Sequence, residues 1–95
     1  MSAYLIVDVS LRDAKRYEEY KRSFPRLIEK HGGEYLVRGG EHEVLEGDWV
    51  PRRLVILKFP DRLSIQELFN DPEYKPLRQL RHEVADSNIV AVDGL

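Results

Sequence analysis

Hydrophobic residues recur along this chain with two different periods, and each period predicts its own kind of element. Residues 3–10 form a β-branched and aromatic run of strand length, and residues 34–38 and 52–59 form two more. A fourth strand is predicted at residues 88–93. The first and third strands are apolar on both faces, which is the pattern of central strands that are covered on two sides.

Other stretches carry apolar residues at helical spacing. Asp13 is expected to be the N-cap of a helix that runs to about His31, and Pro25 is expected to kink or split that helix. After the third strand, Asp61 can cap a short helix. Asp71, which a proline follows, marks the start of another helix.

The resulting order β-α-β-β-α-β is the ferredoxin-like arrangement of the α+β class, expected here as a single domain over residues 1–95. Right-handed crossovers would place the helices on one face of an antiparallel sheet of four strands. A short strand piece is also expected at Val44 and Leu45. Since the helices can cover only one of the two apolar faces, we expect a homodimer in which two sheets pack face to face.

Composition narrows the classes of function. The chain has 95 residues, no cysteine and a net charge of −2. The lack of cysteine excludes disulfides, thiolate metal sites and cysteine nucleophiles, and the net charge argues against nucleic-acid binding, which needs a basic surface. No window approaches the ~20 apolar residues of a membrane span, and the N-terminal residues show no export signal. We therefore expect a cytoplasmic protein that binds neither nucleic acid nor membranes.

Several short runs resemble one family of small proteins. They are GEYLVRGG at 33–40, LEGDWVPR at 45–52 and VILKFP at 55–60, joined by the helix start DPEY at 71–74 and by Arg78. The pattern resembles the dimeric α/β-barrel proteins grouped as domain of unknown function 1330, and the similarity covers nearly the whole chain.

The resemblance implies a ferredoxin-like protomer and a dimeric α/β barrel built from two sheets. Related barrel superfamilies include cofactor-free monooxygenases, muconolactone-type isomerases and chlorite-dismutase-like proteins, a likeness of fold alone. The resemblance implies no established reaction. Taken with the candidate site residues, it leads us to expect a small homodimer that binds or transforms a small acidic or carbonyl metabolite without a cofactor. The alternative is a non-enzymatic binding or accessory module whose barrel serves dimerisation.

Asp8 is the candidate catalytic base. It lies late in a strand that is otherwise apolar, on the same face as Tyr4 and Ile6. A buried carboxylate needs either a partner or a raised pKa, and a raised pKa is how a carboxylate becomes a base near neutral pH. The alternative is that Asp8 is solvated or paired with a nearby arginine.

Arg38, Glu46, Trp49 and Arg53 are candidate ligand-binding residues. Arg38 and Arg53 lie at facing ends of neighbouring strands, where two guanidinium groups could hold a carboxylate or an enolate by forked hydrogen bonds. Trp49 could form an apolar wall of the same pocket. Alternatively, Glu46 pairs with one of these arginines and Trp49 covers a core edge or the dimer seam. The remaining walls are assigned to three tyrosines on the inward helical stripes: Tyr17, Tyr20 and Tyr74.

The histidines do not suggest a metal site. His31, His42 and His82 fall on a helix end, a loop and a helix, and no two have the spacing of zinc ligands. We therefore predict no metal site, and the expected function likewise needs no cofactor.

Overall fold

A computed structural model describes residues 1–95 and contains four strands and three helices. Their bounds are β1 Ala3–Leu11, α1 Ala14–Lys30, β2 Glu34–Arg38, β3 Leu54–Phe59, α2 Arg62–Phe69, α3 Tyr74–Val84 and β4 Ala85–Asp93. The strands form one antiparallel sheet in the order β2-β3-β1-β4. The ferredoxin-like α+β arrangement expected from the sequence is confirmed.

The core lies between the helices and one face of the sheet. Alternate residues of β1 and β3 point into it, and Leu5, Val9, Leu57 and Phe59 are each at most 2% exposed. The helices contribute apolar stripes that include Leu27, Ile28, Leu68 and Val84. The strand alternation and the helical spacing in the sequence therefore both identify side chains that face the core.

Two helices begin as the sequence indicates, and the third begins later. Asp13 and Asp61 each accept a hydrogen bond at their helix N-terminus, from the backbone N–H of Arg16 and Ser64 respectively. Asp71 instead caps a turn, since its Oδ1 accepts from the Glu73 backbone N–H at 2.9 Å, and α3 starts at the residue after Glu73.

Several boundaries differ from expectation. α1 continues through Pro25 and is not split. The strand expected at Val44 and Leu45 is wrong, because residues 39–53 form no helix or strand and Leu45 is 87% exposed. β3 is two residues shorter than the predicted 52–59, and β4 begins three residues earlier than predicted, directly after α3.

The second face of the sheet has no helix over it. Its residues on β1 and β3 are half-buried, and those on the edges are more exposed: Leu36 is 52%, Val90 58% and Val92 44% exposed. The segment 39–53 meets this face at Asp8. None of the helices is long and apolar enough to cross a membrane.

Candidate ligand-binding site

A narrow pocket lies between α1, α3 and the sheet, with an empty volume of about 500 Å³ that includes its open mouth. Its floor is the helix-facing row of β1 and β3: Leu5, Val7, Val9, Val55 and Leu57. Aromatic rings from the helices form its roof: Tyr17, Tyr20, Phe24 and Tyr74. Most of the lining is therefore apolar, as in small-molecule sites generally.

The roof is held together by ring packing and by one hydroxyl pair. Tyr20 stacks between Tyr17 and Phe24, with ring centroids 5.4 and 4.9 Å apart. The hydroxyl oxygens of Tyr20 and Tyr74 lie 3.1 Å apart, which ties α1 to α3. Aromatic pairs of this geometry add about 0.5–1.5 kcal/mol each to what burial provides. The roof is therefore a continuous, packed aromatic surface.

Lys21 and three arginines, Arg38, Arg53 and Arg81, supply the charged part of the pocket. Arg53 and Arg81 both lie close enough to Tyr17 to favour the ionised form of its hydroxyl, although burial outweighs them and raises the pKa of Tyr17. Burial also raises the pKa of Tyr20 well above its usual value. Both phenols are consequently protonated at neutral pH and can donate hydrogen bonds to an anion.

Neither arginine is neutralised by an acidic side chain. Arg81 is only 5% exposed, and neither it nor Arg53 takes part in an ion pair with an acidic residue. The Nε atoms of both are buried without a hydrogen-bond partner. No aspartate, glutamate or histidine lines the pocket. The tyrosine hydroxyls next to these arginines carry no negative charge. Buried charge without a counter-charge costs several kcal/mol, so this pocket favours an anionic occupant.

Arg38 reaches the pocket because of an irregularity in β2. Tyr35 pairs with Leu57 but Val37 pairs with Ile56, so Leu36 is an extra residue, a β-bulge on an edge strand. Regular alternation would place Arg38 on the opposite face from Tyr35. The bulge returns Arg38 to the helix-covered face, where its guanidinium lies 4.6 Å from the centre of the Tyr35 ring.

Pro25 provides an acceptor for the same arginine. Proline has no N–H to donate to the carbonyl four residues earlier, which is that of Lys21. The Arg38 Nη2 donates to this carbonyl oxygen at 3.1 Å. The missing helical hydrogen bond is thus replaced by one from β2, which helps to explain why α1 continues through Pro25 and how Arg38 is held at the pocket mouth.

The pocket gathers five of the eight predicted site residues: Tyr17, Tyr20, Arg38, Arg53 and Tyr74. Asp8, Glu46 and Trp49 are elsewhere. Glu46 is exposed and has no ion pair with Arg38 or Arg53, and Trp49 is 60% exposed.

Asp8 lies on the other face of the sheet, as its alternation with Val7 and Val9 requires. Its carboxylate accepts from the Trp49 Nε1 and from the Arg52 backbone N–H, both at 2.9 Å. These hydrogen bonds, that of Trp49 foremost, hold the pKa of Asp8 below its usual value. A raised pKa, as expected of a base, is not found, and Asp8 instead anchors the segment 39–53.

The family model described as domain of unknown function 1330 matches residues 2–95. The chain belongs to this family. The match covers the runs quoted above and both walls of the pocket. No curated protein matches the chain.

Solved structures share the fold of this family member. A protein of unknown function from Rhodopseudomonas palustris is 22% identical over 99% of this chain and 82% of its own, with a TM-score of 0.82. SnoaB, a cofactor-independent oxygenase from Streptomyces nogalater, is 7% identical over 99% of this chain and 93% of its own, with a TM-score of 0.69. The protein Rv0793 from Mycobacterium tuberculosis is 13% identical over 100% of this chain and 96% of its own, with a TM-score of 0.59.

Sequence reasoning did not assign a role to Arg81. The available signal is its position: Arg81 comes seven residues after Tyr74 and falls on the apolar stripe of α3. A charged residue in an inward stripe must find a partner or lie beside a ligand. No three His, Asp and Glu side chains of the protein come together in a group that could hold a metal ion.

Proposed function

We propose that this family member binds a small, largely apolar carboxylic acid in the pocket between the helices and the sheet. One observation carries the proposal: Arg53 and Arg81 both line this apolar pocket beside the tyrosines, and neither has an acidic partner. Two guanidinium groups can hold a carboxylate by forked hydrogen bonds, and the protonated phenols add further donors. The aromatic roof and aliphatic floor suit a flat organic group.

A second candidate function is the cofactor-free transformation of such a ligand. The phenols of Tyr17, Tyr20 and Tyr74 face the same region as Arg53 and Arg81, and donors arranged in this way stabilise negative charge on an enolate oxygen. SnoaB, which shares the fold, is a cofactor-independent oxygenase. Binding remains the better-supported function, because the pocket lining offers no carboxylate or imidazole as a base.

We also propose that the protein works as a homodimer through the uncovered face of the sheet. The half-buried Tyr4, Ile6, Leu54 and Ile56 form its centre. A standard interface of ~1,600 Å², a little over half of it apolar, gives a gross hydrophobic gain on the order of 20 kcal/mol. Association entropy offsets much of that gain, and a dimer at micromolar concentration is still expected.

Thermal shift with benzoate and benzamide tests the binding site. The two probes have the same ring, but only benzoate carries a negative charge. We expect benzoate to raise the melting temperature and benzamide to leave it unchanged. At a benzoate concentration about 100 times its Kd, the stabilisation is ~2.7 kcal/mol. Arg53→Leu should abolish this shift, while the unliganded variant should stay nearly as stable as the parent protein.

Arg52→Leu is the matched control. It removes the same charge one position earlier, from an exposed side chain that does not line the pocket, and should keep the benzoate shift. An unchanged shift in Arg53→Leu would contradict the proposal. A loss of ~3–5 kcal/mol in the unliganded Arg53→Leu protein would also count against it, because such a loss is typical of a broken buried ion pair.

A further inference from the structure

A second cavity opens between α2, α3 and β4. It has an empty volume of about 770 Å³, including the part open to solvent, and its apolar wall is formed by Ile65, Phe69 and Ala91. Its polar lining consists of Gln66, Arg78, Arg81, His82 and Ser87. Arg81, Phe69, Leu5 and Ile89 also line the first pocket, so the two cavities meet around these side chains. We call this second cavity the α2–β4 groove.

Two buried polar atoms of the groove have no hydrogen-bond partner. One is the Nε of Arg81, whose side chain is nine-tenths or more buried, and the other is the Oγ of Ser87. Ser87 pairs with Val9 across the sheet, which places its hydroxyl on the helix-covered face. Buried donors without partners cost about 1–3 kcal/mol each. Both atoms are shielded from solvent, so a ligand in the groove would recover this loss only after the side chains next to them shift.

The groove concentrates positive charge without acidic compensation. No aspartate or glutamate lines it. The acids next to it in sequence are engaged elsewhere: Glu83 pairs with Arg16, and Asp86 pairs with Arg12. Burial, followed by the charges of Arg81 and Arg78, lowers the pKa of His82. Both guanidinium groups are therefore close enough to His82 to repel a proton from its ring.

We propose that the α2–β4 groove is a binding site for the phosphate group of a small metabolite, with the apolar part of that metabolite against Ile65, Phe69 and Ala91. Arg78, which lines only the groove, and Arg81, which the groove shares with the first pocket, carry two positive charges. Together these match a phosphate monoester of about −1.5 to −2 at neutral pH better than a single carboxylate. The hydroxyl of Ser87 and the neutral ring of His82 add donors. Arg78 is already placed by the Phe69 ring, with its guanidinium carbon 5.7 Å from the ring centre.

A histidine titration by NMR tests the groove, with inorganic phosphate as the first probe and phenyl phosphate as the second. An anion between Arg78 and Arg81 offsets their charge, so phosphate should raise the pKa of His82 relative to chloride at equal ionic strength. His42, which lies in the segment 39–53, is an internal control and should not respond. Phenyl phosphate should produce the His82 change at a concentration at least several-fold lower, because its ring meets the apolar wall.

Variants separate this site from the pocket. Arg78→Gln should abolish the response of His82 to both probes, whereas Arg22→Gln, an exposed arginine of α1 with no ion pair, should keep it. Arg53→Leu should keep the response as well, and Arg78→Gln should keep the benzoate shift of the pocket. No phosphate response at His82, or an equal one at His42, would overturn the proposal. If inorganic phosphate and phenyl phosphate changed the His82 pKa at the same concentration, the apolar part of the metabolite would not lie in the groove as proposed.

Discussion

Arg53 occupies its position because residue 39 has no side chain. Gly39 has φ +73°, in the left-handed region that favours glycine, and a Cβ built there would overlap the Arg53 guanidinium. The Gly39 N–H also donates to the Leu54 carbonyl at 2.7 Å, which holds the end of β2 against the start of β3. The glycine thus allows the arginine to pack directly against the backbone.

The neighbouring glycine provides a matched comparison. We expect Gly39→Ala to destabilise the protein by about 1–2 kcal/mol from the left-handed conformation alone. It should also displace the Arg53 guanidinium and remove the benzoate-dependent rise in melting temperature. Gly40→Ala should do neither, because a Cβ at residue 40 has open space around it and its φ is not positive. If Gly39→Ala retained the full benzoate shift, Arg53 would not be the group that holds the carboxylate.

Among individual residues, the sequence predicted most of the charged and aromatic lining of the pocket but not Arg81. Arg38, Arg53 and three inward tyrosines were identifiable because strand ends and helical stripes follow directly from residue spacing. The only sign of Arg81 in the sequence was that it is a charged residue within the apolar stripe of α3. The positions of Glu46 and Trp49 depend on the path of segment 39–53, which contains no periodic pattern from which a path could be derived.

Two helices are joined by a carboxylate rather than by apolar packing alone. Asp71, just before α3, accepts from the His31 Nε2 at 2.8 Å and lies 2.9 Å from the Lys30 Nζ, at the C-terminal end of α1. It also caps the turn at Glu73. These contacts, led by Lys30 and His31, hold the pKa of Asp71 far below its usual value.

The lowered pKa of Asp71 gives stability a defined dependence on pH. Since ionised Asp71 is favoured by folding, its contribution is fully present above the unfolded value of about 3.9 and declines progressively below it. We expect Asp71→Asn to lower the urea midpoint at pH 7, and the difference from the parent protein to shrink as the pH falls below about 4. Asp48→Asn, in the exposed part of segment 39–53, should show little difference at any pH. A pH-independent loss in Asp71→Asn would contradict this account.

Helices and strands were predictable from the sequence where the local residue pattern matched the way the segment packs against its neighbours. β1 and α1 were predicted within a residue of their bounds because alternation, helical spacing and the Asp13 cap all indicate the same ends. The strand at Val44 and Leu45 was wrong, because strand propensity alone does not make a strand, and these two residues pair with neither edge of the sheet. The effect of Pro25 required knowledge of Arg38, which comes from β2.

On the scale of the whole molecule, the sheet has two apolar faces with different roles. One face forms the pocket floor, and we propose that the other meets a second copy. Ile56→Lys places a charge at the centre of the proposed seam, and we expect monomer or aggregate in sedimentation equilibrium, where the parent protein should sediment as a dimer at micromolar concentration. Leu63→Lys changes a residue on α2 that is 59% exposed and should leave the dimer intact. An 11 kDa monomer for the parent protein across this range would contradict the homodimer.

The bulge in β2 has a consequence for how the lengths of related chains should be compared. Because Leu36 is an added residue, the inward and outward alternation of side chains in β2 reverses at this position. The residues on each side of Leu36 keep their own pairing with β3. Removal of one residue from a regular strand inverts every side chain beyond it. Removal of Leu36 should instead restore regular alternation, with Tyr35 and Arg38 still facing the pocket. We expect the Leu36 deletion variant to fold and retain the benzoate shift, whereas deletion of Val7 from the regular β1 should prevent folding, as circular dichroism and thermal melting would show. An alignment gap at position 36 would therefore be compatible with an unchanged pocket.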